Sequence, residues 1–399
     1  MNKFIPLSVP NLRGNELKYV SEAVKDEWVS TGGAFINKFE RNIASYLNVD
    51  KAVACQSGTA ALHLALLLCG VQENEEVIVP TLTFIAAVNP VRYLGADPVF
   101  MDCDDTLTLD PNKLEEFCST QCEMIDGVLI NNKSGKKIRA LIVVHIFGNI
   151  ANMECITKIA KNYNLKVIED ATEALGTYYA EGILKSRYAG TIGDFGAFSF
   201  NGNKIITTGG GGMLVGNDII ALDKARYLST QAKDDELYYI HNEIGYNYRM
   251  TNLQAALGVA QLEQIEEFIN TKRENYDLYK SEIGNIDGLE ILNFRQGTRS
   301  NCWFYSLKIN KDVYSMDRDE LLKHLNKNNI QARPIWGLIS DQKPYVNSQS
   351  YKLEKSREYI QCVLNIPCST NLTREEVLEV IKVLKSIAKE NRCDINGSK

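Results

Sequence analysis

The sequence predicts an α/β fold, with a large domain on a mainly parallel sheet and a smaller C-terminal α+β domain. Three observations predict it. Between Lys51 and Asp170, short apolar runs alternate with segments of helical spacing, as in strands joined by crossover helices. Ser57, Thr83, His145 and Asp170 fall at or just after the predicted strand ends, where such sheets bind ligands. After Asn247 the strands and helices become shorter. A boundary at 250/251 is therefore expected, with residues 1–250 large and 251–399 small.

The elements follow in order. Leu17, Val20, Val24 and Trp28 share one face of a helix within Asn15 to Trp28. Gly32 and Gly33 end that region, and a second helix spans Ile36 to Leu47. Next come a strand at Lys51–Cys55, an apolar helix from Thr59 to Cys69 and a strand at Glu76–Pro80. A helix from Phe84 to Leu94 and a strand at Pro98–Asp102 continue the alternation. Asn131 to Lys137 is a polar turn, read as a surface hairpin or insertion. Arg139–His145 is a buried strand, Met153–Tyr163 a helix and Lys166–Asp170 a strand ending in acid. Thr251 is placed to cap one long helix reaching Ile269. Segments Cys302–Ile309, Arg318–Asn326, Val363–Pro367 and Arg374–Ala388 build the smaller domain, and the polar tail from Glu390 is expected to fray.

A net charge of -6 without a basic block argues against a surface that neutralises nucleic-acid phosphates. The ten cysteines are scattered, and Cys118 and Cys122 have no second pair or histidine cluster to complete a zinc site. The start is not the apolar run of a secretory signal, and no stretch is long enough to span a bilayer. A reducing cytoplasm is the expected compartment.

Chemistry concentrates in five segments. Lys204 stands between an apolar strand-like run, Phe195 to Phe200, and the glycines 209 to 212. An amine held partly out of water there loses its proton more readily and can attack a carbonyl. The alternative is a surface lysine beside a flexible loop. In Gln56-Ser57-Gly58-Thr59 a strand runs into a helix, whose first amides and dipole suit a phosphate. A plain helix cap is the alternative, and the segment lacks the Gly-Lys-Ser/Thr of a Walker loop. Asp170 ends a strand and Glu173 follows three residues on. A buried carboxylate there needs a partner such as a protonated ring nitrogen, unless it merely caps a helix. Phe84, just after a strand, either lies flat on a planar ligand or packs in the core. Tyr246 to Asn252 gathers donors at the domain junction, as a ligand loop, an interface or a capped helix start. A phosphate cup, a ring cover, a carboxylate for a ring nitrogen and a lysine for a carbonyl are the four handles of pyridoxal 5′-phosphate.

With these motifs in this order, the chain resembles the DegT/DnrJ/EryC1/StrS family of pyridoxal-phosphate aminotransferases, which act on nucleotide-linked keto-sugars. The resemblance runs from about Ile5 to about Leu384. It is carried by Ser57 to His63, Val144 to Gly148, Glu169 to Ala171, Ser199 to Lys204 and Asn247 to Asn252. It implies the aspartate-aminotransferase type of fold, fold type I. It implies Lys204 as the Schiff-base lysine and general acid/base, Asp170 on the pyridine nitrogen and Glu173 near the ring or its phenolic oxygen. Phe84 corresponds to the stacking aromatic, and Gly58, Thr59, Ala60 and Ser199 to the phosphate site. Asn247 matches a phosphate contact from a neighbouring subunit, which implies a homodimer with shared sites. For the substrate, Arg249 and Arg333 are candidates for nucleotide phosphates, and Trp28, Thr31 and Trp336 for the sugar pocket.

Within the family, Ser199 to Met213, Tyr227 to Asp235 and Tyr239 to Glu243 are most similar to aminotransferases of the legionaminic acid pathway. Those aminate C4 of a UDP- or GDP-linked 4-keto-6-deoxyhexose bearing a 2-acetamido group, with glutamate as donor. Bacillosamine- and perosamine-type enzymes are near neighbours; the latter take a GDP sugar without the acetamido group. Related sugar dehydratases carry histidine where this chain has Lys204, so the resemblance favours transamination over dehydration and over a non-catalytic cofactor-binding regulator.

Overall fold

The computed structural model describes residues 3–396. Ten strands are numbered β1 (Lys51–Cys55), β2 (Glu76–Pro80), β3 (Asp97–Met101), β4 (Cys122–Ile125), β5 (Val128–Asn131), β6 (Lys137–Val144), β7 (Lys166–Asp170), β8 (Tyr178–Tyr179), β9 (Phe195–Ser199) and β10 (Gly212–Gly216). The main sheet has the order β1-β10-β9-β7-β6-β2-β3, with Ser350–Tyr351 added at the β3 edge. β9, β7, β6, β2 and β3 are mutually parallel, while β10 is antiparallel to both β1 and β9. The β4–β5 hairpin hangs on β6 through the expected polar turn. A second, antiparallel sheet runs Leu289–Ile291, Tyr305–Ile309, Val363–Ile366, Arg333–Pro334. This is the fold-type-I architecture, a large α/β domain with a smaller C-terminal one.

Three helices are numbered: α1 (Glu16–Lys25), α2 (Ala34–Leu47) and α3 (Gly58–Leu68). α3 is apolar on nearly every face and packs under β9 and β10. It is therefore a core helix whose N-terminus points at the sheet's C-terminal edge.

Three expectations need correction. The helix foreseen from Phe84 to Leu94 is a short turn at Ile85–Ala87 and a helix at Asn89–Tyr93, because Pro90 starts a new helix at its first turn. The long helix from Thr251 is two, Asn252–Leu262 and Ile265–Ile283. The break lies between Gln261 and Gln264, whose side chains both donate to Glu16 on α1. Just past the boundary expected at 250/251, the helix Asn252–Leu262 lies on α1 and α2. The chain from Glu390, expected to fray, continues the helix Arg374–Asn396. Among the described residues no helix is long and apolar enough to cross a membrane.

Candidate active site

The C-terminal ends of β6, β7 and β9 open on a cavity of about 590 Å³, roofed by the second sheet. Parallel pairing sets this up: Asp170 lies opposite Val144 on β6 and Ala197 on β9. Lys204 sits on the turn that follows β9, and its side chain is 12% exposed. Its Nζ donates to Glu173 Oε1 at 3.4 Å and lies 4.3 Å from the centre of the Trp303 ring.

Two buried carboxylates face this amine. Burial pushes the Asp170 carboxyl up, opposed by hydrogen bonds from Thr172 and by the charge of Lys204. The Thr172 amide donates to Asp170 Oδ1 at 3.1 Å. Burial also pushes Glu173 up to about 7, although Lys204 and the Phe147 amide, donating to Oε2 at 2.8 Å, favour its charged form. Glu169 behaves otherwise. Burial would push it up, but His145 Nε2 at 2.7 Å and the amides of Gly190, Ile192 and Gly193 hold it down. The Ala151 amide donates to His145 Nδ1, so the ring proton sits on Nε2 and goes to Glu169. His145 and Glu169 thus form a buried support behind Asp170.

The cup is built by Ser57, Gly58, Thr59 and Ser199, all lining the cavity. Ser57 Oγ caps α3 by accepting from the Ala60 amide at 3.1 Å. Ala60 itself is buried and off the cavity wall. A Cβ on Gly58 would come within 2.9 Å of Ser199 Cβ and Thr172 Cγ2, so this wall has no room for a side chain. The glycine run serves the same place. A Cβ on Gly212 would lie 2.3 Å from the Ser57 backbone, and Gly211 has φ +151°. β10 passes directly beneath the cup because nothing but glycine fits there.

Phe84 lines the mouth and packs on Trp336, with ring centres 5.9 Å apart. Trp336 meets Phe147 at 4.9 Å, and Phe147 meets Trp303 at 6.1 Å, which completes an aromatic wall. Arg333 and Lys204 are the cationic residues of the lining among the described residues.

A family model, the DegT/DnrJ/EryC1/StrS aminotransferase family, matches residues 10–385. The chain belongs to that family. It is 38% identical to Bacillus subtilis EpsN, whose own assignment as a pyridoxal phosphate-dependent aminotransferase is provisional, over 96% of both chains. It is 38% identical to the GDP-perosamine synthase of Escherichia coli O157:H7, covering 95% of this chain and 97% of that one. A crystal structure of a family aminotransferase from Brucella abortus superposes with a TM-score of 0.84 at 25% identity, over 94% of this chain and 95% of the other.

This DegT/DnrJ/EryC1/StrS protein is therefore a pyridoxal-phosphate-dependent aminotransferase acting on a nucleotide-linked keto-sugar. Its residues fit the cofactor. Asp170 and Glu173 are buried acids with raised affinity for protons, which a protonated ring and a phenolic oxygen would satisfy, and the cup at α3 offers amides to a phosphate. Lys204, Asp170, Glu173, Gly58, Thr59, Ser199, Phe84 and Arg333 are brought to one cavity. Others are placed elsewhere. Arg249 pairs with the buried Glu40, which also holds Arg226 and the Ala54 amide. Thr31 and Trp28 are exposed and off the cavity wall, and Asn247 is exposed beside Thr230. Trp336, expected near the sugar, lies in the wall. Sequence reasoning missed Trp303 and Asn301. Cys302-Trp303-Phe304 reads as an ordinary apolar run, and only the fold turns Trp303 toward Lys204.

Proposed function

We propose that this enzyme transfers the amino group of glutamate to the C4 ketone of a GDP-linked 4-keto-6-deoxyhexose, as a perosamine-type 4-aminotransferase. The observation that carries the chemistry is the Lys204 amine beside two buried acids in a cavity large enough for cofactor and sugar together. The nucleotide rests on relatives named GDP-perosamine synthase. Bound pyridoxal phosphate supplies an aldehyde for the donor nitrogen and a ring that takes up electrons. Asp170 would hold the ring nitrogen in its protonated form. Lys204 Nζ would be the group that carries the proton at the donor carbon. Glu173, within reach of Lys204 Nζ, would hold a proton beside the amine and the phenolic oxygen. Arg333, at the mouth, holds the nucleotide's phosphates.

The legionaminic-type reading differs in the 2-acetamido group. It is favoured by Ser199 to Met213, part of which lines this cavity, and by Tyr227 to Asp235 and Tyr239 to Glu243, which lie outside it. The same region exposes Leu237, Tyr238, Tyr239, Ile240 and Ile244. So much apolar surface supports a homodimer in which Asn247 reaches the neighbouring site. The test is a panel of UDP- and GDP-linked 4-keto-sugars, with and without the 2-acetamido group, each with glutamate and read by product mass. Amination of the GDP sugar lacking the acetamido group supports the proposal. Turnover of acetamido sugars alone supports the legionaminic type instead.

A further inference from the structure

We infer that Trp303 is a positioning residue for Lys204. Its indole face holds the unbonded amine, and its N–H fixes the backbone that carries it. The inference rests on reading Lys204 as the amine that captures the cofactor.

Trp303 is 1% exposed and leads into the strand Tyr305–Ile309 of the second sheet. Its ring centre lies 4.3 Å from Lys204 Nζ. Its indole N–H donates at 2.8 Å to the carbonyl of Asn203, the residue immediately before Lys204. One side chain thus touches both the lysine's amine and the carbonyl of the residue that precedes it.

The ring is itself fixed. It stacks on Phe304 at 3.9 Å with planes 6° apart. The buried Lys272 donates to the Trp303 carbonyl at 2.9 Å. The Trp303 amide donates to Asn301 Oδ1 at 3.0 Å, while Asn301 Nδ2 donates to the carbonyls of Glu173 at 2.9 Å and Leu175 at 3.0 Å. Glu173 is the other group that touches the amine. One fully buried asparagine therefore sets the spacing between the two contacts of Lys204.

The chemistry gives this arrangement a purpose. A lysine that must release and recapture a carbonyl spends part of each turnover unbonded, on a stem of four flexible carbons. A π face attracts the ammonium without offering a hydrogen-bond acceptor, so the amine is kept in place but free to leave. The turn carrying Lys204 is tied through the same ring to the second sheet.

The test uses Trp303→Phe, which keeps a face and loses the N–H, and Trp303→Leu, which loses both. Covalent capture of pyridoxal phosphate by cofactor-free protein is timed by absorbance, and steady-state constants are measured for both substrates. Capture and kcat should fall about 3-fold in the first variant and about 10-fold in the second. Both KM values should stay within about 2-fold. Wild-type capture and kcat in the leucine variant would overturn the inference. So would a raised KM for the sugar at unchanged kcat, which would make Trp303 a wall of the substrate pocket. If the leucine variant does not fold, the phenylalanine variant decides, since unchanged capture there also overturns it. Failure of the wild-type protein to capture the cofactor at Lys204 would instead strike at the proposed function.

Discussion

Glu173 Oε1 accepts a hydrogen bond from Lys204 Nζ at 3.4 Å, and neither side chain has free access to water. Burial still dominates over the amine's charge and pushes the Glu173 carboxyl up to about 7. The folded cofactor-free protein therefore holds a proton there that the unfolded chain releases near pH 4.5. Its stability falls as pH rises from 4.5 through 7.

Glu173→Gln should remove that fall. From pH 5 to pH 8, the unfolding free energy of the cofactor-free variant should gain on the wild type by roughly 2.5 kcal/mol, from a shift to about 7. Chemical denaturation at both pH values checks it. Parallel pH dependence of the two proteins would contradict the raised carboxyl.

Arg249 is a structural residue in this fold. Arg249→Ala would leave the buried Glu40 with Arg226 and one backbone amide. The loss should be about 3 kcal/mol of stability, with KM for the nucleotide-sugar unchanged. A large rise in KM at wild-type stability would return Arg249 to the substrate.

The glycine run offers a matched pair. A Cβ at Gly212 would meet the Ser57 backbone at 2.3 Å, whereas at Gly210 the nearest atom is Gln254 Nε2 at 3.7 Å. Gly212→Ala should cost about 1–3 kcal/mol and weaken cofactor binding at the cup. Gly210→Ala should stay within about 0.5 kcal/mol. Thermal unfolding and cofactor titration of both variants check the contrast.

The sequence was most readable where structure is local. Asp170 and Ser199 end strands whose apolar runs announce them, and parallel pairing of β7 with β9 brings those ends together; Ser57, just after β1, joins them through β10, which is antiparallel to both β1 and β9. The same local reading gave the cap of Thr251, which forms a capping box with Gln254. It failed where a distant partner decides. Arg249 sits in a segment rich in donors, and nothing nearby reveals Glu40. The break after Leu262 depends on Glu16 accepting from Gln261 and Gln264. Trp303 reaches Lys204 because the second sheet folds over the first. The role of the glycines became clear only with the Ser57 turn above Gly212.

The central claim is that Lys204 is the amine that carries the cofactor chemistry. Borohydride reduction of the pyridoxal-phosphate-loaded protein, followed by peptide mass mapping, tests it most directly. The expected result is a phosphopyridoxyl group on Lys204 in the wild type, and no label, no cofactor absorbance band and no turnover in Lys204→Ala. A label on another lysine, or normal turnover by Lys204→Ala, would contradict the account.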